Sequence, residues 1–246
     1  MAEQPAVQSV ARAFDVLDAL AAADGPLPLA EIARITGLAA PTAHRLLRTM
    51  HARGHVQQSG AREYGLGPGL IRLGQRATPR LASLAQPVLA ELEEVSEETA
   101  NLAVLDGDLI AYIAQVPSRH RMRMFTEVGR QVLPHASGVG KAIFATLPES
   151  RVSAIVRRTG LPGYTASTLT SEAALFADLR ESRRRGFAVD DGEQEVGVRC
   201  IAVALPQSDP PAAVSISGPA ARVTDAKSAR FVEALQAAAH RLARAE

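Results

Sequence analysis

The chain of 246 residues contains one cysteine, Cys200, and no tryptophan, and aromatic residues make up only 4% of it. A single cysteine excludes an intrachain disulfide framework and a cysteine-based zinc site, which fits a reducing compartment. The N-terminus lacks the basic and apolar pattern of a secretory signal, and no apolar run reaches the roughly 18 residues that a membrane span needs. We therefore expect a cytoplasmic protein with no membrane partner.

Acidic residues are nearly missing from one stretch of the N-terminal third. Between residues 34 and 80 there are eight arginines and a single acid, Glu63, whereas residues 81–246 hold 18 basic and 20 acidic residues. The overall net charge of +1 hides this asymmetry, which indicates that one end of the chain meets a polyanion. A solvated run of arginines that binds nothing would give the same count. The predicted helices around these arginines are therefore needed to distinguish a binding surface from a solvated run.

Two predicted helices begin the chain. The first covers Ser9–Ala22, with Ser9 as its N-cap and an apolar face of residues at helical spacing: Val10, Phe14, Leu17 and Leu20 or Ala21. The second covers Leu29–Thr36 and ends at the following glycine, because glycine tolerates left-handed backbone angles.

A third predicted helix runs from Pro41 to about Arg53, and two short strands follow at Val56–Gln58 and Glu63–Leu66. The last two helices, joined by a tight turn, form a helix-turn-helix, and the hairpin would be its wing. The residues that this arrangement offers to DNA are Pro41, Thr42, His44, Arg45, Arg48 and Arg62.

Double-stranded operator DNA is the partner that these features favour. A helix of this diameter fits the major groove, where arginine can form bidentate bonds to guanine. Any three-helix bundle has an outer polar face, and the aliphatic half of each arginine can serve packing alone. The coincidence of the helix pair, the wing and the arginine-rich stretch favours DNA binding over that alternative.

The rest of the chain alternates strands with helices. We predict strands at Asn101–Leu105, Leu109–Gln115, Arg121–Phe125, Gly186–Asp190, Cys200–Leu205 and Ala212–Ser217. We predict helices at Leu81–Glu97, Gly140–Ala145, Pro148–Arg158, Ser171–Arg185 and Lys227–Ala245. The fold class is therefore α+β with two domains: a winged helix-turn-helix over residues 1–69, a helical linker over 70–80, and an α/β sensor domain over 81–246.

One segment of the second domain can bind an anion. The run from His135 to Lys141 leads into a helix, and backbone N–H groups beside Ser137, together with the helix dipole, form an anion site. It is not a phosphate loop, because the required first glycine would fall at His135 and Ala142 follows the lysine. Ser215 and Ser217 point to one face of their strand, opposite Val214 and Ile216.

Several motifs together resemble the IclR family of transcriptional regulators. They are Pro41-Thr-Ala-His-Arg-Leu-Leu, Met122-Arg-Met, Leu133-Pro-His-Ala-Ser-Gly-Val-Gly-Lys-Ala, Arg185-Gly-Phe-Ala-Val-Asp-Asp-Gly-Glu, Gly197-Val-Arg-Cys-Ile-Ala and Ser215-Ile-Ser-Gly-Pro. The detail is most similar to the glyoxylate-responsive repressors of that family. The resemblance implies a GAF-like effector domain, homodimers that pair into homotetramers, repression in most members, and no cofactor.

The resemblance also implies which residues contact a small carboxylate effector such as glyoxylate or pyruvate. Those positions correspond here to Gly138, Val139, Asp190, Cys200, Ser215 and Ser217. Arg121 stands where the family has an apolar pocket lid. It either stays outside the pocket or pairs with the effector carboxylate.

Each of these residues also has an ordinary structural interpretation. Cys200 can be a small buried hydrophobe, the two serines can end a strand, and Asp190 with Asp191 can cap a turn. His135 can be a satisfied structural histidine. The acids Asp191, Glu193 and Glu195 lack a nearby histidine, so we expect a solvated loop rather than a metal site.

Two other functions remain open on the sequence. An enzyme would use Cys200 as nucleophile with His135 or Asp190 assisting, but no nucleophile elbow or oxyanion motif surrounds the cysteine, and we expect no enzyme. An IclR-type activator, or a regulator of aromatic-acid catabolism, would carry the same two domains.

Overall fold

The structure is a computed structural model that describes residues 7–60, 62–77, 80–124 and 127–244, with the side chains of 75–77 and 80 left out. The chain divides into two compact units, Met1–Thr78 and Pro79–Glu246. The two-domain α+β class is therefore confirmed. The separate helical linker over residues 70–80 crosses the division and stays a prediction.

The first unit combines helices with a small antiparallel sheet whose strand order is β1-β3-β2. Its elements are α1 (Gln8–Ala21), β1 (Leu27–Pro28), α2 (Leu29–Thr36), α3 (Ala40–Ala52), β2 (Val56–Gln58), β3 (Glu63–Leu66) and α4 (Gly69–Ala77). Gly37 ends α2 with a φ of 66°, as its position in the sequence predicts. The core of the unit is formed by Val16, Leu20, Ile32, Leu47, Met50, Val56 and Tyr64.

Two sequence predictions about α1 are wrong. Ser9 is not the N-cap, because the helix begins at Gln8 and Val7 precedes it without a side-chain bond. Val10 and Phe14 are 52% and 60% exposed rather than inward-facing. Leu20 of the predicted face is buried and Leu17 packs partly against the core, but the buried face also includes Val16 and Ala19, which the sequence pattern did not assign to it.

The second unit is an α/β layer structure. Its helices are α5 (Arg80–Ser96), α6 (Gly138–Thr146), α7 (Glu149–Thr159), α8 (Glu172–Arg185) and α9 (Asp225–Ala243). Its strands are β4 (Thr99–Asp106), β5 (Leu109–Val116), β6 (Gln131–Val132), β7 (Ala188–Asp191), β8 (Val198–Ala204) and β9 (Ala212–Pro219). Among the described residues these strands form one antiparallel sheet in the order β6-β5-β4-β9-β8-β7.

Strand alternation assigns the two faces of this sheet. Val214 and Ile216 of β9 join the core formed with α5 and α9. Ala213 joins the separate core on the opposite face, formed with α6, α7 and α8. Ser215 and Ser217 have the parity of Ala213, so they lie on the α6 side, as the sequence predicts.

The predicted strand Arg121–Phe125 is wrong over residues 121–124, and Phe125 lies outside the described residues. Side chains take the place of a strand ladder there. Arg222 donates a hydrogen bond to the carbonyl of Met122 at 2.8 Å, and the Thr99 hydroxyl donates to the carbonyl of Met124 at 3.4 Å. The short strands β1 and β6 carry too few residues for a period-2 pattern, and the sequence prediction omitted both.

We predict that Leu47→Ala lowers the free energy of unfolding of the first unit by about 2–5 kcal/mol, since this fully buried side chain holds α3 against the core. The matched control is Leu66→Ala, because Leu66 is 38% exposed at the end of β3. Urea unfolding followed by circular dichroism measures both. Equal losses in the two variants would contradict this assignment of the core.

Candidate nucleic-acid interface and small-ligand pocket

Helix α3 presents a polar outer face, as predicted. Its inner residues Ala43, Leu47 and Met50 are buried. Of the residues on this helix that the sequence assigned to DNA, four are exposed: Pro41, His44, Arg45 and Arg48. The fifth, Thr42, is half-buried.

The arginines of this face have no carboxylate partner within the described part of the chain. Within the described part of the chain, Arg45, Arg48 and Arg62 take part in no ion pair, whereas Arg34 on α2 pairs with Glu31 at 2.6 Å. Arg62 is exposed in the turn between β2 and β3, with a φ of 61°. Guanidinium groups without an internal partner are available to phosphates, and their distribution over α3 and the wing fits a DNA surface.

In the second unit, a polar row crosses the sheet on the face covered by α6. Asp190 of β7 lies opposite Cys200 of β8, Cys200 lies opposite Ser217 of β9, and Ser217 lies opposite Thr99 of β4. Ser215 belongs to the neighbouring row. All of these side chains are buried. The structure thus brings together four of the predicted effector contacts: Asp190, Cys200, Ser215 and Ser217.

The N-terminus of α6 lies directly on this row. A Cβ added to Gly138 would stand 2.7 Å from the Cys200 sulfur, so only glycine allows the approach. Ser137 is the N-cap, and its hydroxyl accepts the N–H of Gly140 at 3.2 Å. The first N–H groups of a helix lack intrahelical partners, and those of Gly138 and Val139 find no other acceptor among the described residues. N–H groups in this position can donate to an anion placed over the sheet.

Asp190 lies at one end of the polar row. Its Oδ1 accepts the backbone N–H of Glu193 at 2.7 Å, which is the turn-capping role that the sequence also allowed. Burial raises the pKa of Asp190 to about 6, against the opposing effects of that bond and of the Lys141 charge. Near neutral pH this carboxyl can therefore donate a proton to a carbonyl oxygen or accept one from a hydroxyl.

Lys141 is a residue that the sequence interpretation missed. Its side chain is fully buried, and its ammonium lies 2.5 Å from Glu193 and 3.2 Å from Asp178. Burial raises the pKa of Glu193 to about 7. The predicted solvated loop is therefore wrong for Glu193, which turns inward to the ammonium, and right for the exposed Asp191 and Glu195. A single lysine on an otherwise apolar helix was the available signal.

His135 is a buried structural histidine, but it is not fully satisfied, because its Nδ1 has no hydrogen-bond partner among the described residues. Its Nε2 donates to the carbonyl of Pro162 at 3.0 Å, and its ring stacks on Tyr164 with centroids 6.2 Å apart. Burial lowers the pKa of His135, so the ring is neutral at neutral pH. Asn101, on β4 beside Ser215, is a second residue that sequence reasoning missed; it is fully buried.

Cys200 and Arg121 differ from the remaining predicted contacts. Burial, followed by the nearby Asp190 carboxylate, raises the pKa of the Cys200 thiol to about 11, so it is no thiolate nucleophile at neutral pH. Arg121 is exposed on the segment after β5 and forms no hydrogen bond or ion pair with any other described residue.

Two further features of the described residues bear on the kinds of site that the chain carries. Across residues 7–60, 62–77, 80–124 and 127–244, no group of three or more histidine, cysteine or acidic side chains is arranged to hold a metal ion. Within the same residues, every helix is too short or too polar to cross a membrane.

We predict a pH-dependent stability that belongs to Asp190. Because its pKa is raised in the folded state, the native state binds its proton more tightly, and stability falls as pH rises from 3.8 through about 6. The stability advantage of Asp190→Asn over the parent should therefore grow by roughly 1 kcal/mol between pH 5 and 7. Urea unfolding at both pH values measures it. Asp191→Asn is the control, since Asp191 is exposed, and a matching trend there would refute the assignment.

Known protein families match both units of the chain. The family described as "Bacterial transcriptional regulator IclR C-terminal" matches residues 77–244, and the "IclR helix-turn-helix domain" matches residues 9–60. The transcriptional repressor IclR of Escherichia coli is 40% identical over 232 residues, which cover 92% of this chain and 85% of that protein.

Solved structures share the whole fold. An IclR transcriptional regulator from Alicyclobacillus acidocaldarius is 29% identical with a TM-score of 0.84, covering 98% of this chain and 99% of its own. An IclR homologue from Microbacterium hydrocarbonoxydans, complexed with 4-hydroxybenzoate, is 25% identical with a TM-score of 0.82, covering 97% and 100%. These proteins are regulators, so neither the comparisons nor the protonated thiol supports a Cys200-dependent enzyme. The two family matches cover most of the chain, and they fall on the helix-turn-helix and on the six-stranded sheet domain. The chain therefore belongs to the IclR family of transcriptional regulators.

Proposed function

We propose that this chain is a repressor that holds operator DNA through α3 and the β2–β3 wing, and that a small 2-oxo acid such as glyoxylate weakens its hold. One observation carries the proposal. The chain joins an exposed arginine face without carboxylate partners to a buried polar row beneath a helix N-terminus. The first suits a polyanion and the second suits a small carboxylate.

On the DNA side, α3 enters the major groove. Arg45 and Arg48 read base edges, with Thr42 and His44 beside them and Pro41 setting the start of the helix. The wing residue Arg62 contacts the phosphate backbone and carries affinity rather than sequence information.

On the effector side, the polar groups divide into two ends. The N–H groups of Gly138 and Val139 and the hydroxyls of Ser215 and Ser217 hold the carboxylate. The aldehyde, ketone or gem-diol faces Asp190, whose raised pKa lets it act as donor or acceptor. Cys200 lies beneath the ligand, between its two ends. Ser137 caps α6, and the exposed Arg121 does not contact the ligand. Because each neutral hydrogen bond contributes about 1 kcal/mol, a ligand this small needs several of them.

The two functions are coupled in an oligomer. We propose that the helical segment over residues 70–80 joins a DNA-binding domain over 1–69 to an effector domain over 81–246, within a homodimer or homotetramer that works in the cytoplasm. Coupling between such sites is typically 1–3 kcal/mol, so effector binding would weaken operator binding about 5- to 150-fold.

A second candidate effector is an aromatic acid. The relative from Microbacterium hydrocarbonoxydans is complexed with 4-hydroxybenzoate, and its chain shares this fold along its full length. In that case the protein regulates aromatic-acid catabolism, as repressor or activator, with the carboxylate held by the same α6 amides.

A gel-shift titration tests the proposal and separates the candidates. The full chain should bind duplex taken from upstream of its own gene more tightly than random duplex at moderate salt. Glyoxylate or pyruvate, and not protocatechuate or 4-hydroxybenzoate, should then release it. Release by the aromatic acids alone would favour the second candidate, and equal binding to both duplexes would refute operator recognition.

We predict that Arg45→Ala weakens operator binding by about 1–3 kcal/mol, because a bidentate base contact is lost from the centre of α3. Arg184→Ala is the control: it removes the same charge from an exposed arginine of the second unit, paired there with Glu181. Fluorescence anisotropy with labelled operator gives both constants. Equal effects of the two substitutions would indicate a nonspecific charge effect.

We predict that Asp190→Ala binds operator as the parent does but no longer responds to glyoxylate, since Asp190 faces the oxo group. Asp191→Ala, one residue away and exposed, should respond normally. The readout is the glyoxylate concentration that halves operator binding. An unchanged value in Asp190→Ala would show that the pocket is assigned to the wrong residues.

A further inference from the structure

Two buried polar side chains on neighbouring strands leave hydrogen-bonding capacity unused within the described residues. Asn101 of β4 and Ser215 of β9 are both 0% exposed, and they face each other in the strand register. The Nδ2 of Asn101 forms no hydrogen bond within the described residues, and the Ser215 hydroxyl has only the thiol of Cys200 there, which is a weak hydrogen-bonding group. Buried polar groups in native proteins are nearly always satisfied, so something outside these residues bonds to them.

The direction of the Asn101 amide follows from its one bond. Its Oδ1 accepts the Nε2 of Gln115 on β5 at 3.1 Å. Because β4 lies between β5 and β9, this bond holds Oδ1 toward β5 and leaves Nδ2 on the side of Ser215. Exchanging the two amide atoms would not pair them internally. A hydroxyl both donates and accepts, so Ser215 would bond to either amide atom within reach, and it bonds to neither.

These two groups adjoin the polar row under α6. Ser215 lies two residues from Ser217 on the same face of β9, and Ser217 is opposite Cys200, which contacts the start of α6. Asn101 is one strand further from Cys200, on the side away from Asp190. A ligand that lies between Asp190 and the N-terminus of α6 therefore presents its other end to Ser215 and Asn101.

We propose that Asn101 is an effector-binding residue: its amide N–H, together with the Ser215 hydroxyl, donates to a carboxylate oxygen of the effector. This inference rests on the proposed function. A carboxylate here needs such donors, because the buried Lys141 is already held by Glu193 and Asp178. Neutral N–H and O–H groups must then replace the hydrogen bonds that the carboxylate made to water before it bound. Removal of any one of these donors should weaken binding of the effector.

Two substitutions separate this role from a structural one. Asn101→Asp keeps the shape and an acceptor for Gln115 but replaces the donor Nδ2 by an oxygen that repels a carboxylate. Asn101→Ala removes both functions. Ser96→Ala is the control, because the buried Ser96 hydroxyl bonds only to the backbone of Leu92 and Glu98.

Calorimetric titration of the full chain with glyoxylate and with pyruvate gives the dissociation constants. Thermal unfolding and operator binding without effector check that each variant folds. We expect Asn101→Ala to weaken binding of the probe that the parent binds by about tenfold or more, Asn101→Asp to weaken it further, and Ser96→Ala to change it less than about twofold. If Asn101→Asp does not fold, Asn101→Ala decides.

The other outcomes overturn the inference in distinguishable ways. If the parent binds a probe and Asn101→Ala binds it equally well, water satisfies the amide and the proposed function stands without Asn101. If Asn101→Asp retains affinity that Asn101→Ala loses, the residue only supports Gln115. If the parent binds neither probe, the proposed effector class itself is wrong and the role of Asn101 falls with it.

Discussion

The close approach of helix α6 to the sheet is the constraint on which the sensor unit depends. Gly138 lies on the Cys200 sulfur, and a Cβ at Gly140 would stand 2.3 Å from the carbonyl oxygen of Pro134. Because Gly138 has no side chain, the start of α6 can approach the sheet and place its first N–H groups over the polar row, and Gly140 allows the helix to pack against the turn that precedes it. In the same region Lys141 is buried, its ammonium pairs with Glu193, and the N–H of Glu193 donates to Asp190. The proposed anion site and Asp190 therefore depend on the same helix position.

The two units use charge in opposite ways because their partners differ in size. A DNA duplex is a long polyanion, and it is met by guanidinium groups that stay solvated until phosphates replace their counterions. A small acid has too little surface for that strategy. It must be surrounded, and a buried cation beside it would bind any anion. The buried lysine is instead paired with two carboxylates, so in the proposed function the neutral N–H and O–H donors would recognise the ligand.

Burial of polar groups on the α6 face of the sheet carries a free-energy cost. Asp190 and Glu193 both have raised pKa values because burial penalises their charge, and the Nδ2 of Asn101 has no partner among the described residues. A ligand that bonds to these groups would offset part of that cost. This gives a small molecule enough differential free energy to shift a regulator between two states, provided that the states differ at this face.

Local sequence rules determined the elements that depend on neighbours along the chain. They predicted the glycine that ends α2, the polar face of α3, the wing and the alternation that separates Ser215 and Ser217 from Val214 and Ile216, because helical and strand periods are local. Resemblance to a family, rather than spacing, supplied the set of pocket residues. Only the tertiary structure determined which apolar residues of α1 are buried. It also placed side-chain hydrogen bonds where a strand was expected from Arg121 onward, and it paired Lys141 with Glu193 and Asp178. It alone placed the Nδ2 of Asn101, which is unbonded within the described residues, opposite Ser215. These outcomes depend on contacts between residues far apart in sequence, where several pairings satisfy the same local pattern and packing selects one.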